Sequence, residues 1–298
     1  MAKINLFARI TAQIAEAIEA GAPDYVMPWH GSSGALHCPS NAISGRPYRG
    51  LNILTLWVEG EARGFASGQW ATYRQWSEHG AQVRKGERST TVFFWQQRAG
   101  DSSADSTDQE PRRPAFVAKA FTVFNAAQVD GFNPSVPPIL SEQERETRIE
   151  RFLQNTRAAI THGGDSAFYS PSADRIHMPE FGRFKSATAY YSTLAHELTH
   201  WTGAKHRLDR RLDNRFGSEA YAMEELIAEL GAAFTCARLA ISTEPRRDHA
   251  PYIASWLKAL RSDPRAIFAA ASKAQEAADF LELLTTSPDS PSAVCLTP

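Results

Sequence analysis

The segment 196–200, which reads H-E-L-T-H, constrains this chain more than any other feature, because it requires a helix that can hold a metal. Histidines four residues apart are neighbours on one helix face, so His196 and His200 can bind one Zn²⁺. Glu197 is next to His196 in the chain, and its carboxylate can take a proton from a water on that metal. The residues just before the motif contain no proline or glycine, and Ser186 can cap the helix. The motif therefore predicts the metal helix of a zinc peptidase.

The third metal ligand has two candidate sources, since a catalytic zinc has three protein ligands and one open position. His206 completes the metzincin string over 196–206, but that string needs a later Met-turn, and Met223, the only later methionine, lies in a helical pattern. The alternative is the pair Glu225 and Glu229, which share a helix face. One of them would bind the metal and the other would orient a ligand histidine. The spacing leaves open both the choice of source and the order of the two glutamates.

Composition limits the classes of protein to which the chain can belong. Its 298 residues exceed one typical domain, and 43% hydrophobic and 22% charged residues are ordinary for a globular protein. Three cysteines without metal or redox spacing favour a reducing compartment over a disulfide framework. No apolar run approaches the roughly 20 residues that a membrane span needs. We therefore expect a cytoplasmic protein with no membrane partner.

The pattern of strands, helices and prolines predicts an α+β protein of two domains. Three prolines within 134–138 favour an extended linker, so we divide the chain there. The predicted parts are a small α+β domain over 1–136, a mainly helical domain over 137–285 and a disordered tail over 286–298. In the first domain, strands at 90–97 and 115–124 flank an acidic hairpin tip at 101–110. The second domain is predicted to contain helices at 141–161, 218–240, 250–260 and 264–284, besides the metal helix.

Positive charge and aromatic residues are interleaved in the first domain. Residues 46–98 carry eight Arg or Lys against four Glu. Binding of single-stranded DNA without sequence preference requires cations along the phosphates and aromatic faces for the bases. The predicted cations are Arg46, Arg49, Arg74, Arg84, Lys85 and Arg88. The aromatic candidates are Trp29, Tyr48, Trp70, Tyr73, Trp76 and Trp95, of which roughly two thirds should be core residues.

Taken together, these motifs resemble those of the ArdC-type antirestriction proteins of conjugative plasmids. The resemblance runs from about residue 1 to 240. In the first domain it is carried by the stretches 28–29, 39–41, 45–52, 83–87 and 123–128, which resemble a domain also found attached to plasmid primases. In the second domain it is carried by 168–172 and 196–203.

The resemblance implies a single-stranded-DNA-binding domain followed by a zincin-like metallopeptidase domain, which together shield incoming conjugated DNA from restriction. It favours the helix that carries Glu225 and Glu229 as the source of the third ligand. The pair also resembles the gluzincin arrangement of thermolysin-like enzymes, which implies that Glu225 binds the metal and Glu229 orients a ligand histidine, and the exchanged roles stay open. Zn²⁺ is the expected cofactor, and another divalent transition metal such as Mn²⁺ could replace it. The residues predicted to bind DNA are Trp29, Arg46, Tyr48, Arg49, Arg74, Trp76, Arg84, Lys85 and Arg88.

The peptidase chemistry makes two further demands on the sequence. An edge strand should align the peptide, and we expect it at 174–178. A donor should stabilise the oxyanion, and Tyr221 and His177 are both candidates, because no spacing rule selects between them. If the peptidase is active, an alternative function is a DNA-dependent protease that cleaves proteins on single strands, including restriction subunits. A third alternative is a DNA-binding module whose zinc is only structural.

Overall fold

The computed structural model describes residues 6–24, 27, 29–30, 38–97, 116–133, 141–210, 212, 218–241 and 250–286. The predicted hairpin tip at 101–110, the linker at 134–138 and the tail beyond 286 lie outside this part of the chain. The described part has an α+β fold, as predicted. Contacts within the chain define two compact units. The first unit comprises Met1–Pro39, Pro47–Gly64 and Ser135–Pro298, and the second comprises Ser40–Arg46 and Phe65–Pro134.

Helices dominate the first unit. They are α1 (Leu6–Gly21), α2 (Leu51–Ala62), α4 (Glu142–Thr156), α5 (Ala187–Thr202), α6 (Glu219–Leu239), α7 (Ala250–Ser262) and α8 (Ala266–Thr286), while α3 (Tyr73–Glu78) belongs to the second unit. Helix α6 is buried along most of its length and packs against α5, α7 and α8. An α-helix that is apolar on nearly all sides needs this central position. No helix among the described residues is long and apolar enough to cross a membrane.

A three-stranded sheet accompanies these helices in the first unit. Its strands are β7 (Ala159–His162), β8 (Phe168–Ser170) and β9 (Arg175–Met178), in the order β7-β9-β8. The prediction of an edge strand at 174–178 is wrong, because β9 pairs with β7 on one side and with β8 on the other. Buried Ile176 and Met178 mark the segment as a strand, but its neighbours depend on chain topology, which local sequence does not encode.

The second unit is built on a four-stranded sheet with the order β1-β2-β5-β4. Its strands are β1 (Ser40–Asn41), β2 (Gln69–Ala71), β4 (Thr90–Gln97) and β5 (Phe116–Asn125), and β3 (Gln82–Val83) pairs separately with β6 (Val129–Asp130). Helix α3 begins with the expected capping box, in which Thr72 and Gln75 satisfy each other's backbone N–H groups. Trp76 on this helix lies in a small core with Ala71 and Val83.

The two compact units differ from the sequence division near residue 137, because α1 and α2 pack with the second half of the chain. Helix α1 buries Ile10, Ile14 and Ile18 and packs against α7 and α2. The N–H of Gly50, just before α2, donates to Gln275 Oε1 of α8 at 2.7 Å. A linker signal marks where the chain is extended, but it does not reveal that earlier helices belong to the later core.

Candidate metal centre and nucleic-acid surface

Two closely packed helices position the predicted metal ligands. Ser186 Oγ caps α5 by accepting a hydrogen bond from the Ala189 N–H, as the sequence indicates. Where α5 meets α6, Gly231 faces Thr199, and a Cβ atom on Gly231 would lie 2.5 Å from Thr199 Cγ2. Any larger residue at 231 would require a shift of the Thr199 side chain or of one helix. The approach brings carboxylates of α6 to the histidines of α5.

His196, His200 and Glu225 converge on one point. Their potential ligand atoms all lie within 4.8 Å of one another. The two Nε2 atoms are 3.1 Å apart, and the Glu225 oxygens lie 3.5 Å from His196 Nε2 and 3.6 Å from His200 Nε2. Two ligand atoms bound at about 2.0–2.1 Å to one tetrahedral ion lie about 3.3 Å apart. The three side chains therefore have the spacing that a divalent transition metal requires.

The other nitrogens of the two histidines face carboxylates. His196 Nδ1 donates to Glu229 Oε1 at 2.7 Å, and His200 Nδ1 lies 3.3 Å from Glu224 Oε1. An ionised carboxylate only accepts hydrogen bonds, so it places the proton of each neutral imidazole on Nδ1. Two unprotonated Nε2 atoms then face each other, and their lone pairs repel unless a cation lies between them. This arrangement fits a metal ion.

Glu224 is a site residue that the sequence reasoning missed. Its carboxylate accepts hydrogen bonds from Arg210, whose Nη2 also donates to the Thr199 carbonyl oxygen at 2.6 Å. The Arg210 side chain is only 5% exposed. The sequence did contain a signal for Glu224. Because Glu224 and Glu225 are consecutive on α6, they lie about 100° apart around the helix and can reach different histidines. Arg210 gave no comparable signal.

Charges and hydrogen bonds around Glu225 keep it ionised. When the two histidines are protonated, burial raises the pKa of this carboxyl, but hydrogen bonding to His196 and the charges of both histidines outweigh burial and lower it to about 2. With neutral histidines, a bound cation would have the same effect. The Tyr221 hydroxyl is hydrogen-bonded to Glu225 and to Tyr252, and burial together with the Glu225 charge raises the pKa of Tyr221. Tyr221 is thus a neutral donor beside a candidate ligand.

The remaining candidates for the peptidase centre lie in different surroundings. Glu197 is 4% exposed, and no described residue donates a hydrogen bond to its carboxylate. His177 contacts Thr161 Oγ1 at 3.0 Å and stacks on Phe168. His206 is exposed, and its Nε2 lies 3.3 Å from Asp174 Oδ2, outside the cluster of His196, His200 and Glu225. The geometry therefore disfavours the metzincin alternative.

Four of the aromatic residues predicted to stack on bases are core residues. Trp29 and Trp76 are 0% exposed and Tyr48 is buried as well. Trp76 Nε1 donates to the Phe124 carbonyl oxygen at 3.1 Å, and Trp29 packs on Trp256. A base cannot reach these ring faces, so a stacking role does not fit the structure. The sequence identifies which residues are aromatic, but it does not show which rings are exposed to solvent. Trp70 is buried too.

The predicted cations fall into two groups. Arg46, Arg74, Lys85 and Arg88 are exposed in the second unit. Among the described residues, Arg74 forms an ion pair with Glu78 of its own helix, and its side chain is 87% exposed. The second group, Arg49 and Arg84, is exposed too and forms ion pairs with residues distant in the chain. Arg49 pairs with Asp279 in the first unit, and Arg84 pairs with Asp130, besides Glu87, in the second.

The second unit also carries exposed aromatic rings that were not predicted. Phe94 of β4 is 49% exposed and Phe121 of β5 is 43% exposed, and their ring centroids are 5.4 Å apart. Exposed Lys119 lies directly opposite Phe94 in the strand register. Alternation along β4 places Val92 and Phe94 on one face, yet Val92 is buried and Phe94 is exposed, so alternation alone does not reveal which apolar side chains reach the surface. Tyr73 is exposed as well, as expected for one of the predicted aromatics.

Both halves of the chain match models of known protein families. Residues 5–124 match the model for the N-terminal domain of anti-restriction factor ArdC, and residues 147–273 match the model for a zincin-like metallopeptidase. The uncharacterized protein y4eC of Sinorhizobium fredii (strain NBRC 101917 / NGR234) is 54% identical over 93% of this chain and 91% of its own length. A DNA primase TraC of Escherichia coli is 37% identical over 92% of this chain, which spans only 26% of that primase.

Solved structures extend this likeness to three dimensions. The metal-free crystal structure of the antirestriction ArdC protein from plasmid R388 has a TM-score of 0.76 and 37% identity, and the match covers 95% of this chain and 98% of that one. The Mn(II)-bound structure of the same protein matches with a TM-score of 0.76 and 38% identity, over 95% of this chain and 99% of that one. With two domain models, a near-full-length match and the same fold, this chain belongs to the ArdC antirestriction family and carries a zincin-like metallopeptidase domain.

Proposed function

We propose that this protein binds single-stranded DNA and protects incoming conjugated plasmid DNA from host restriction, and that it carries a divalent metal at a peptidase centre. The observation that supports this most strongly is the near-full-length likeness to the R388 antirestriction protein, which was solved with and without Mn(II). Membership of the family places the function in the antirestriction class, and the chemistry of the described residues supports the more specific steps.

The DNA-binding part of the proposal depends on the second unit. Arg46, Arg74, Lys85 and Arg88 are exposed there and can contact phosphates. Exposed aromatic rings can stack on bases without selecting a sequence, and the candidates in this unit are Tyr73, Phe94 and Phe121. Trp29, Tyr48 and Trp76 are left out of this surface because they are buried.

For the metal centre, we propose His196, His200 and Glu225 as ligands. Glu229 and Glu224 would each fix one ligand histidine by accepting its Nδ1–H. Zinc is the expected metal, although Mn²⁺ could also bind. A metal held by these residues would supply polarisation of the scissile carbonyl and a water whose pKa is lowered toward about 7.

The chain's own groups would carry the protons of peptide hydrolysis. Glu197 is buried, without a described donor, and next to His196, so it can accept the proton of the attacking water and deliver it to the leaving amine. Tyr221 remains protonated and can donate a hydrogen bond to the developing oxyanion. Its contact with the candidate ligand Glu225 favours Tyr221 over His177 in this role. Because β9 is central, the edge strand β8 replaces it as the candidate that aligns a peptide.

A second function, cleavage of proteins on single-stranded DNA, is favoured by the organised metal centre, since each ligand histidine has its own carboxylate partner. Plasmid transfer into a restricting recipient separates the two functions. The variants are Glu197→Ala and a four-fold Ala variant of Arg46, Arg74, Lys85 and Arg88. A matched control removes the exposed cations Lys258, Arg261, Arg265 and Lys273 from the first unit.

DNA protection predicts that the four-fold variant loses protection, whereas Glu197→Ala and the control variant retain it. A restriction-deficient recipient should receive all plasmids equally. If Glu197→Ala abolishes protection and the four-fold variant retains it, the protein acts instead as a protease directed at the restriction machinery.

A further inference from the structure

A segment far from the HExxH motif in sequence reaches the metal centre in the first unit. Trp29 Nε1 lies 3.4 Å from Glu229 Oε2, and His30 Nε2 lies 3.8 Å from the same oxygen. Each of four residues, Trp29, His30, Glu229 and His196, is at most 4% exposed. Two N-terminal side chains therefore contact the carboxylate that orients a candidate metal ligand.

A backbone contact fixes the tautomer of His30. The Met27 N–H donates to His30 Nδ1 at 2.9 Å, so Nδ1 carries no proton. In the neutral ring the proton is then on Nε2, the nitrogen that faces Glu229. His30 and Trp29 thus both present N–H groups to Glu229 Oε2, while Oε1 accepts from His196.

The division of contacts between the two oxygens has a consequence for the orientation of Glu229. A buried carboxylate without donors is costly, and rotation of Glu229 would remove its acceptor from His196 Nδ1. Hydrogen-bond donors to Oε2 stabilise the Glu229 rotamer in which Oε1 points toward His196. We propose that Trp29 and His30 are positioning residues of the metal centre, which act on His196 through Glu229. This inference rests on the metal site proposed above.

Packing holds this N-terminal segment in place. The Trp29 ring lies 6.2 Å from the ring of Trp256 on α7, and Trp256 Nε1 donates to the Ala222 carbonyl oxygen of α6 at 2.7 Å. The segment is thereby tied to the helix that carries Glu225 and Glu229. The peptidase family match spans 147–273, whereas Trp29 and His30 fall within the N-terminal match at 5–124. The metal centre is therefore completed by residues of the N-terminal family module.

The test measures the zinc affinity of the full-length protein by chelator competition. Trp29→Phe removes the indole N–H and keeps most of the ring, and His30→Leu removes the Nε2 donor. We expect each to weaken zinc binding by roughly 10-fold, the lower end of the range for loss of a partner behind a metal ligand. His30→Gln, which can place an N–H near the former Nε2 position, should restore most of the affinity.

Two comparisons exclude a merely structural effect. Trp57→Phe is the matched control, because Trp57 packs on Phe234 of the same helix α6. In a double-mutant cycle, Trp29→Phe should have little further effect once Glu229→Gln is present, since the two residues act through one contact. Additive losses, or a loss from Trp57→Phe equal to that from Trp29→Phe, would overturn the positioning role. Failure of the wild-type protein to bind zinc would instead refute the proposed metal centre.

Discussion

The metal centre and the cationic surface of the second unit are organised in opposite ways. At the metal centre the side chains are buried, apart from half-buried His200, and each histidine has a carboxylate partner. On the second unit, cations such as Arg74 and Lys85 extend into solvent. A metal ion needs fixed ligands at fixed distances, whereas a DNA strand needs many adaptable contacts. Loss of one residue should therefore be severe in the first region and mild in the second.

The largest expected effect is the loss of a ligand. Glu225→Ala removes one of three proposed ligands and should weaken zinc binding by more than about 100-fold, beyond the 10- to 100-fold cost of losing an outer partner. Elemental analysis after dialysis checks the metal content. Glu219→Ala is the control, because Glu219 lies on the same helix but pairs with exposed Lys258. Full zinc occupancy in Glu225→Ala would show that the third ligand lies elsewhere.

Loss of a histidine's partner should have the next largest effect. Glu224→Gln weakens the acceptor beside His200 and leaves Arg210 without its carboxylate. We expect zinc affinity to fall by about 10- to 100-fold, again measured by chelator competition. His206→Ala should change the affinity little, because its side chain lies in an exposed pair with Asp174. A larger loss from His206→Ala than from Glu224→Gln would reverse this assignment.

Close packing of the two metal helices predicts an intermediate effect. Gly231→Ala places a methyl group 2.5 Å from Thr199 Cγ2 and should cost about 1–3 kcal/mol of unfolding free energy. Gly182→Ala is the control, since a Cβ there meets nothing within 4 Å. Denaturant unfolding measures both variants, and adding Thr199→Ala to Gly231→Ala should restore part of the loss. DNA affinity should be unchanged, which tests whether the two regions are independent.

The smallest effect is expected from a single cation on the second unit. Lys85→Ala should remove about one phosphate contact, so the slope of log affinity against log salt should fall by about 0.7. Fluorescence anisotropy with a labelled single strand at several salt concentrations measures this slope. Lys273→Ala, which removes an exposed charge from the first unit, should leave it unchanged. A many-fold loss from Lys85→Ala alone would mean that the surface is a specific site after all.

The two regions also differ in how far sequence could predict them. HExxH spacing and the pair Glu225 and Glu229 repeat with the period of a helix, so periodicity indicated which side chains share a face. Glu224 and Arg210 could not be assigned in this way, because their roles depend on how α6 and the loop before it pack on α5. The strand β9 was predicted, but its central position was not.

For the second unit, composition indicated cations and aromatic rings but not which of them reach the surface. Trp76 and Phe94 illustrate the difference, because the predicted tryptophan is buried and the phenylalanine is exposed. Exposure depends on three-dimensional neighbours that are distant in the chain, such as the pairing of β4 with β5. Periodic motifs can therefore be predicted from sequence, whereas the set of side chains that reaches the surface cannot.

The contact between Trp29 and Glu229 has a consequence for protein synthesis. These residues are 200 positions apart in the chain. At a translation rate of about 5–20 residues per second, Trp29 leaves the ribosome roughly 10 to 40 s before Glu229. The apolar side of α1 packs against α7, which is made later still, so the nascent chain exposes this apolar surface for longer. The order of synthesis thus delays completion of the candidate metal centre until α6 has been made.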